Sequence, residues 1–573
     1  MLELKVGDHL GDEPASYTRF VLPFRYHLEN LPEEAVYDAV YLPHDVPHRM
    51  WRERYLTVET ADALFHRGRW LRLETNGPWE WQVDLSFSSE KKIAVAMARP
   101  WLVLFEWPKN PNLQTENSLL QTGFLLVDLY FPTTDGISPG LEDLLRLNEL
   151  FRYWQRPWEG HEKNGYRALL ASWPLDRNRA TTIGAEGIDF DDIYFERWKS
   201  LLEPPIRDEK AKVWRLFSAD WSEKARASIK AQAKTNGASS EGGWIVYADS
   251  RTFVWTCAIV GGGAGALKRA FPLTADDGER VGMALGDWEA HRYGHWVKLL
   301  NVDLPKDTPR ATHESVMAFE RNWAKDRTYH RWEEWGTYYG FSYHGGAMLG
   351  PPETNPPLWQ HFAEMYFDQV LLLLYLRVSL FRFSIRLNEI SGKARDAVDQ
   401  GGKETWLKEF RELRWDFALF TNLYQFPLLS NQQQGLEMYS LARKIMDVDE
   451  LFDEVQKEIH SSHDFLAVDE AHRTAQTTAR LTVVATMGLA VGLAFSFLGM
   501  NILVAGEVSS VLELLIFAAI VAVFFVGMIH IVRRSPQIAK ELESISSEKE
   551  KPGLRKAMKN VLKAVFSNSV RQW

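Results

Sequence analysis

Asn501 follows Gly499 and Met500 at the end of a 20-residue stretch without charged side chains. Its amide oxygen suits Mg²⁺, a small cation that sheds its water reluctantly and that amide oxygens can contact through the retained hydration shell. A ring of such oxygens from several copies of the chain would bind the ion weakly enough to release it. Glu507, a few residues later, would raise the local cation concentration. A ring of this kind would suit a hydrated divalent cation such as Mg²⁺.

Two long apolar runs surround this sequence. Leu481–Met500 has the length needed to cross a hydrocarbon core of about 30 Å as a helix, and 514–532 is nearly as long, with His530 near its end. We therefore expect two transmembrane helices, at 481–501 and 511–532.

The flanking charges indicate an orientation. The connection 501–510 has no Lys or Arg, whereas Arg480, Arg533 and Arg534 lie at the other ends of the two runs. By the positive-inside rule, both termini are expected in the cytoplasm of a bacterium, with the protein a multi-pass component of its inner membrane. The acidic N-terminal segment has no apolar stretch of the signal-peptide type.

The arrangement of Gly499-Met500-Asn501, an acidic loop, a second apolar run and a basic end resembles the CorA-type divalent cation channels, whose signature is GMN at this place. The preceding segment, 469–501, is similar to that family's stalk helix, because a polar stretch runs without a break into the apolar one. The resemblance covers about 436–534. It implies a homopentamer in a lipid bilayer that passively conducts Mg²⁺ through a pore lined by the first transmembrane helix.

One side of that first helix would form the wall of the pore. The alternative is that this apolar side is a packing or lipid-facing surface. Its residues are Phe497, Ala494, Ala490, Met487 and Val483. The family usually has a further polar ring about two turns below the asparagine, where this chain has Gly492 and Leu493. A basic segment, 533–573, continues past the point where the family usually ends, and part of it has the pattern of an amphipathic helix.

An acidic stretch precedes the apolar runs. Asp447, Asp449 and Asp453 fall within a few helical turns, and Asp464 follows. The resemblance implies regulatory Mg²⁺ bound between subunits by such carboxylates, with Asp464 as an acidic ring at the inner entrance. The alternative is a solvated helix face.

Other segments have the composition of a ligand site. Gly261 and Gly263, with Lys268 beyond them, follow a strand-like run and would let backbone N–H groups approach a phosphate. Tyr343 and His344 resemble a lid that stacks on a base. A tight loop is the alternative for the glycines, and for the polar stretch 430–435 the alternative to a ligand contact is a helix cap.

The region before the apolar runs predicts a large α/β domain at 1–304, with a subdivision near 202–212. Strand-like runs begin at residues 81, 92, 101, 124, 244 and 253. A helical bundle and stalk helix are expected at 305–480, with the short run 370–376 as a buried helix.

Composition limits the function classes. The chain has 573 residues, a net charge of −10 and one cysteine, Cys257, which excludes a disulfide framework and CxxC zinc sites. No nucleophile elbow, zincin motif or kinase motif set is present, so we do not expect an enzyme. Direct nucleic-acid binding is not expected either.

Three functions remain open from the sequence. The first is a CorA-like Mg²⁺ channel or transporter. The second is a CorA-like membrane effector of a type III CRISPR antiviral system, activated by a nucleotide second messenger that the large body receives. The third is a membrane-anchored binding protein with a non-conducting hairpin.

Overall fold

The structure is a computed structural model, and it divides into two compact units, Met1–Val455 and Gln456–Trp573. Each unit is considered by itself. The residues that the structure describes are 3–7, 15–26, 37–74, 82–88, 91–105, 121–133, 138–152, 206–208, 213–217, 251–261, 295–303, 314–354, 357–400, 403–426, 428–462 and isolated positions between 474 and 526.

The first unit is built on one sheet of 13 strands. The order along the sheet is β11-β12-β13-β10-β1-β7-β6-β3-β2-β9-β8, and β5 pairs with β4 and β7 beside this path. The strands are β1 Tyr17–Tyr26, β2 Tyr37–Pro43, β3 Gly68–Glu74, β4 Gln82–Ser88, β5 Lys91–Met97, β6 Trp101–Phe105, β7 Gln121–Tyr130, β8 Ile206–Asp208, β9 Val213–Phe217, β10 Phe253–Ile259, β11 Thr328–Tyr329, β12 Tyr338–Phe341 and β13 Gly345–Gly350.

The pairing between β10 and β13 is parallel, whereas the other strand pairs of the described residues are antiparallel. The central strands are largely buried because both of their faces are covered; all seven residues of β10 are buried, for example, Thr256 among them. Gly123 in β7 lets the backbone approach Phe24 closely, since an added Cβ would lie 2.5 Å from that ring.

One face of the sheet packs against helix α3, Leu141–Phe151. Leu144, Leu145 and Leu147 of this helix are fully buried in the main apolar core. Asn148, on the same helix, joins two strands, because its side chain accepts a hydrogen bond from the Thr18 hydroxyl at 2.6 Å and donates one to Thr256 at 2.9 Å.

Helices form the rest of the first unit. Their bounds are α1 Arg49–Tyr55, α2 Val58–Ala61, α4 Glu314–Lys325, α5 Leu358–His361, α6 Phe367–Gln400, α7 Lys403–Tyr424 and α8 Gln433–Ile445. Short π-helical segments, Asp62–Arg67 and Phe362–Tyr366, continue α2 and join α5 to α6. Residues 295–301 are also helical, and so are residues 448–462, a stretch that includes the boundary between the two units.

Helix α6 is fastened to the sheet by ring contacts and to helix α1 by a buried ion pair. Tyr375 stacks on Phe105 of β6 with ring centroids 4.3 Å apart. Asp368 accepts a hydrogen bond from Arg52 Nε at 2.8 Å, and both side chains are buried. Arg19 of β1 lies over the Phe367 ring at 4.3 Å while its guanidinium donates two hydrogen bonds to Asp128.

The second unit is described mainly at separate positions beyond residue 462, and each of these is helical. Several have exposed apolar side chains: Leu481 is 64% exposed and Leu489 is 66% exposed in the first apolar run, and Val523 is 71% exposed in the second. An added Cβ at Gly488 or Gly492 would meet nothing within 4 Å.

The structure contradicts the expected membrane fold. Within the described residues, no helix is both long and apolar enough to cross a bilayer, whereas the sequence predicted two such helices at 481–501 and 511–532. The longest described helix, α6, contains Asp368, Arg377 and Arg382, and its apolar side chains are used for packing within the first unit. The predictions of a membrane channel fold and of a multi-pass protein of the bacterial inner membrane, with both termini in the cytoplasm, are therefore wrong on this finding.

The expected α/β class for 1–304 also needs correction. Strands and a helix do coincide with most of the runs identified in the sequence, apart from the run at 244–248, which lies outside the described residues. However, β5, β6 and β7 follow one another without an intervening described helix. Both β5 and β6 pair antiparallel with β7. The result is a mixed, mostly antiparallel sheet, because hydrophobic runs do not reveal which strands will pair.

Candidate ligand site

Tyr343 and His344, which the sequence singled out, form the turn between β12 and β13. The turn is closed by a hydrogen bond from the Ser342 amide to the Gly345 carbonyl oxygen at 2.8 Å. The Tyr343 side chain is 40% exposed, and its ring meets that of His344 edge-on at 5.3 Å. The two residues that were expected to stack on a base are thus adjacent, with the Tyr343 ring at the surface.

Helix α6 brings a guanidinium to this turn. The Cζ atom of Arg377 lies 3.6 Å from the centroid of the Tyr343 ring, and its Nη1 donates a hydrogen bond to the Tyr343 carbonyl oxygen at 3.0 Å. Phe381, one helical turn further, has its ring centroid 5.8 Å from the same guanidinium and is 39% exposed. We call Tyr343, Arg377 and Phe381 the Arg377 platform.

The positive charge of the Arg377 guanidinium is only partly balanced by nearby groups. Burial lowers its pKa, and the nearby Tyr343 and Asp447 oppose this effect. In the part of the chain that the structure describes, no carboxylate lies within 4.0 Å of it. By contrast, Arg386, two turns along α6, donates a 3.0 Å hydrogen bond to Asp416 of α7. Arg377 therefore retains capacity to bind an anion.

The predicted acidic stretch begins beside this platform. Asp447 has a left-handed backbone with φ of 53°, a conformation that aspartate tolerates, and it precedes helical residues 448–462. Its carboxylate and that of Asp449 raise the pKa of Glu450. Asp449 is itself paired with Arg443, whose Nε donates to it at 2.6 Å. These contacts bring the carboxylates together. The side chains of Asp447, Asp449 and Glu450 are all exposed to solvent.

The carboxylates of this stretch were also expected to bind a regulatory metal ion. Among the residues whose positions are described, no group of three or more His, Cys, Asp or Glu side chains is arranged to hold a metal ion. Asp447, Asp449 and Asp453 are all exposed, and Asp464 lies outside the described residues. Regulatory metal binding between copies of the chain remains a prediction.

The glycine-rich segment is described only at its beginning. Gly261 follows β10, and its amide donates a hydrogen bond to the Glu3 carbonyl oxygen at 3.1 Å. Its N–H group is therefore already used within the protein. Gly263 and Lys268 lie outside the described residues.

The polar stretch 430–435 serves local structure. The Ser430 hydroxyl donates to the Tyr55 carbonyl oxygen at 2.7 Å and accepts from the Gln432 amide at 3.1 Å, next to the start of α8. Gly435 approaches the same place closely, because an added Cβ would lie 2.6 Å from Ser430 Oγ and 2.8 Å from Gln369 Nε2. The sequence offered a helix cap as the alternative to a ligand contact; in the structure the N-cap of α8 is Gln432, which has no side-chain cap hydrogen bond, and Ser430 contacts the amide of that residue.

A buried polar cluster lies behind that stretch. Gln369 is 1% exposed and neither its amide nitrogen nor its amide oxygen has a hydrogen-bond partner among the described residues. The same holds for Nδ1 of His361, which is 8% exposed and whose ring lies 5.2 Å from Trp51. Burial lowers the pKa of His361 to about 4, so the ring is neutral at pH 7.

Sequence reasoning missed Arg377 and Phe381 as partners of Tyr343. The available signal was their spacing of four residues in a run already interpreted as a helix, which places both on one side of it. Nothing in the sequence related that side to a turn more than 30 residues earlier.

The residues predicted for cation passage cannot be placed by the structure. Gly499, Met500, Asn501 and Glu507 lie outside the described residues, and so do the five residues of the expected pore wall: Phe497, Ala494, Ala490, Met487 and Val483.

No protein-family model matches the chain, and no curated protein or solved structure matches it.

Proposed function

We propose that the chain transports divalent cations in the CorA-like manner, with Mg²⁺ as the cargo and Asn501 as the residue that selects it. The observation that carries this proposal is the sequence Gly499-Met500-Asn501 followed by the acidic Glu507. Amide oxygens suit a hydrated Mg²⁺, because they contact its water shell without holding the ion tightly.

An assembly of several copies belongs to this proposal. One chain offers a single Asn501, whereas a ring of amide oxygens needs several. The exposed apolar side chains of Leu481, Leu489 and Val523 support it, since apolar residues exposed to this degree favour a covering surface. We propose that other copies of the chain provide part of that cover.

The test is Mg²⁺ uptake by lipid vesicles that contain the full chain and a Mg²⁺-sensitive dye. We expect Asn501→Ala to reduce the uptake rate by roughly tenfold or more, because one amide ligand is lost from every copy at once. Asn560→Ala, an asparagine in the basic C-terminal segment, is the matched control and should leave uptake unchanged. Uptake by Asn501→Ala equal to that of the unaltered chain would contradict the proposal.

A second candidate function is response to a nucleotide second messenger, as in the CorA-like effectors of type III CRISPR antiviral systems. The observation that favours it is the Arg377 platform, in which a guanidinium lies beside two partly exposed aromatic rings. The two candidates are compatible, because a ligand received by the first unit would regulate cation transport. A type III CRISPR operon beside the gene would favour the second candidate.

A further inference from the structure

The Arg377 platform combines two kinds of recognition at one place on the first unit. Tyr343 and Phe381 are 40% and 39% exposed, so part of each ring is available for stacking. The Cζ atom of the Arg377 guanidinium lies 3.6 Å from the centroid of the Tyr343 ring and 5.8 Å from that of the Phe381 ring. Ile385, 47% exposed and a further turn along α6, extends the apolar part of this surface.

Arg377 differs from two buried arginines of the first unit, Arg52 and Arg386. Each of these has a carboxylate partner, Asp368 and Asp416, at hydrogen-bond distance. Arg377 donates through Nη1 to a neutral carbonyl oxygen and also interacts with the Tyr343 side chain. A guanidinium has five N–H donors, and those of Arg377 therefore exceed the acceptors that the described residues supply.

We propose that the Arg377 platform binds a phosphorylated planar ring, that is, a ligand of the mononucleotide class. The phosphate oxygens accept hydrogen bonds from Arg377, whose planar guanidinium matches them in shape and charge. The ring stacks on Tyr343 or Phe381, an interaction worth about 1–3 kcal/mol per base in other proteins. This inference rests on the proposed response to a nucleotide and names the site for it.

The experiment measures binding to the full chain by calorimetry, with three kinds of probe: the four 5′-mononucleotides, adenosine and inorganic phosphate. We expect the unaltered chain to bind at least one mononucleotide more tightly than either adenosine or phosphate. Arg377→Gln should weaken that binding tenfold or more. Tyr343→Leu should weaken it by roughly 5- to 150-fold, corresponding to the loss of one stacking interaction, while Tyr343→Phe should retain it.

Lys393→Gln is the matched control, because Lys393 is an exposed cation on the same helix and is paired with Glu409. It should bind as the unaltered chain does, and circular dichroism of every variant establishes that the fold is kept. The inference is overturned if no mononucleotide binds at about 1 mM, an affinity limit of roughly 4 kcal/mol, or if folded Arg377→Gln binds within twofold of the unaltered chain. Phosphate binding as tightly as the mononucleotides would also overturn it, since the ring would then contribute nothing.

Nucleotide binding and Mg²⁺ uptake, measured on the same protein, separate this inference from the proposed cation transport. Nucleotide binding by a chain that transports no Mg²⁺ would contradict the transport proposal and leave the Arg377 site standing. Mg²⁺ uptake without nucleotide binding would contradict the site and leave transport standing.

Discussion

Among the described residues, some arginine side chains of the first unit are paired with a buried carboxylate, and Arg377 is not. The paired arginines stabilise the fold. Arg52 and Arg19 are held by Asp368 and Asp128, and they connect strands and helices inside the fold. Removing one member of a buried pair leaves an uncompensated charge, which is strongly destabilising. Arg377 has no such carboxylate within 4.0 Å in the described part of the chain, so its charge is available at the surface for a ligand.

His361 makes a prediction about acid stability. Burial lowers the pKa of this histidine from 6.5 to about 4, so between these values the unfolded chain binds a proton that the folded chain does not. Its contribution to stability is present above pH 6.5 and is lost as the pH falls through about 4. The loss is on the order of 3 kcal/mol when the shift is converted at 1.36 kcal/mol per unit.

We therefore expect His361→Gln to lose less stability than the unaltered chain between pH 7 and pH 4. Urea unfolding at several pH values measures this difference. His44→Gln, at an exposed histidine, is the control and should follow the unaltered chain. Parallel pH profiles for His361→Gln and the unaltered chain would show that His361 titrates normally in the fold.

At the scale of elements, the pairing of β10 with β13 determines where the turn that contains Tyr343 lies. Gly346 is opposite Trp255 in this parallel pair, and its missing side chain leaves room for the indole. Trp255 in turn stacks on Phe362 with ring centroids 4.0 Å apart, in the π-helical segment before α6. This chain of contacts fixes α6 relative to β13 and so places Arg377 beside Tyr343.

Two glycine substitutions should have opposite effects on stability. A Cβ at Gly346 would lie 2.3 Å from Trp255 Cζ3, and the fully buried ring has no room to move, so Gly346→Ala should lower the free energy of unfolding by about 1–3 kcal/mol. Gly392 is inside α6 and a Cβ there would meet nothing within 4 Å. Gly392→Ala should therefore raise stability by about 0.5–1 kcal/mol, because alanine loses less backbone entropy in a helix.

Urea unfolding of the two variants measures both effects. Each variant is the control for the other, because a general effect of alanine would change both free energies of unfolding in the same direction. A stable Gly346→Ala variant would mean that β13 is not held against Trp255 as described.

At the scale of the whole molecule, the exposed apolar residues of the second unit indicate an assembly. Leu481 and Leu489 are eight residues apart in the first apolar run and are both more than 60% exposed, as is Val526 in the second run. One chain therefore leaves apolar surface uncovered.

We expect the full chain to form an oligomer, with five copies as the number implied by the CorA-like resemblance. Sedimentation of the protein in mild detergent, with chemical crosslinking to count the copies, measures it. Leu481→Ser combined with Leu489→Ser should shift the distribution toward smaller species. A chain that remains monomeric at every concentration would contradict both the assembly and the ring of Asn501 amides.

The sequence determined the elements of the first unit well where the pattern was local. The runs at 101 and 253 became β6 and β10, and the run 370–376 became part of the buried helix α6, because each is continuously apolar and is covered on all sides. It also singled out Tyr343 and His344 as a lid that would stack on a base, and the structure places both in the turn between β12 and β13. Its long apolar runs, by contrast, predicted membrane helices, and no described helix meets that expectation.

Tertiary structure alone decided the rest, because pairing and proximity depend on contacts between residues far apart in the chain. The antiparallel order of the sheet, the parallel β10–β13 pair and the buried Arg52–Asp368 contact join segments separated by tens to hundreds of residues. Arg377 is the clearest case. Its sequence neighbours indicate a buried helix, and only the packing of α6 against β13 places its guanidinium on the Tyr343 ring, where charge and stacking combine.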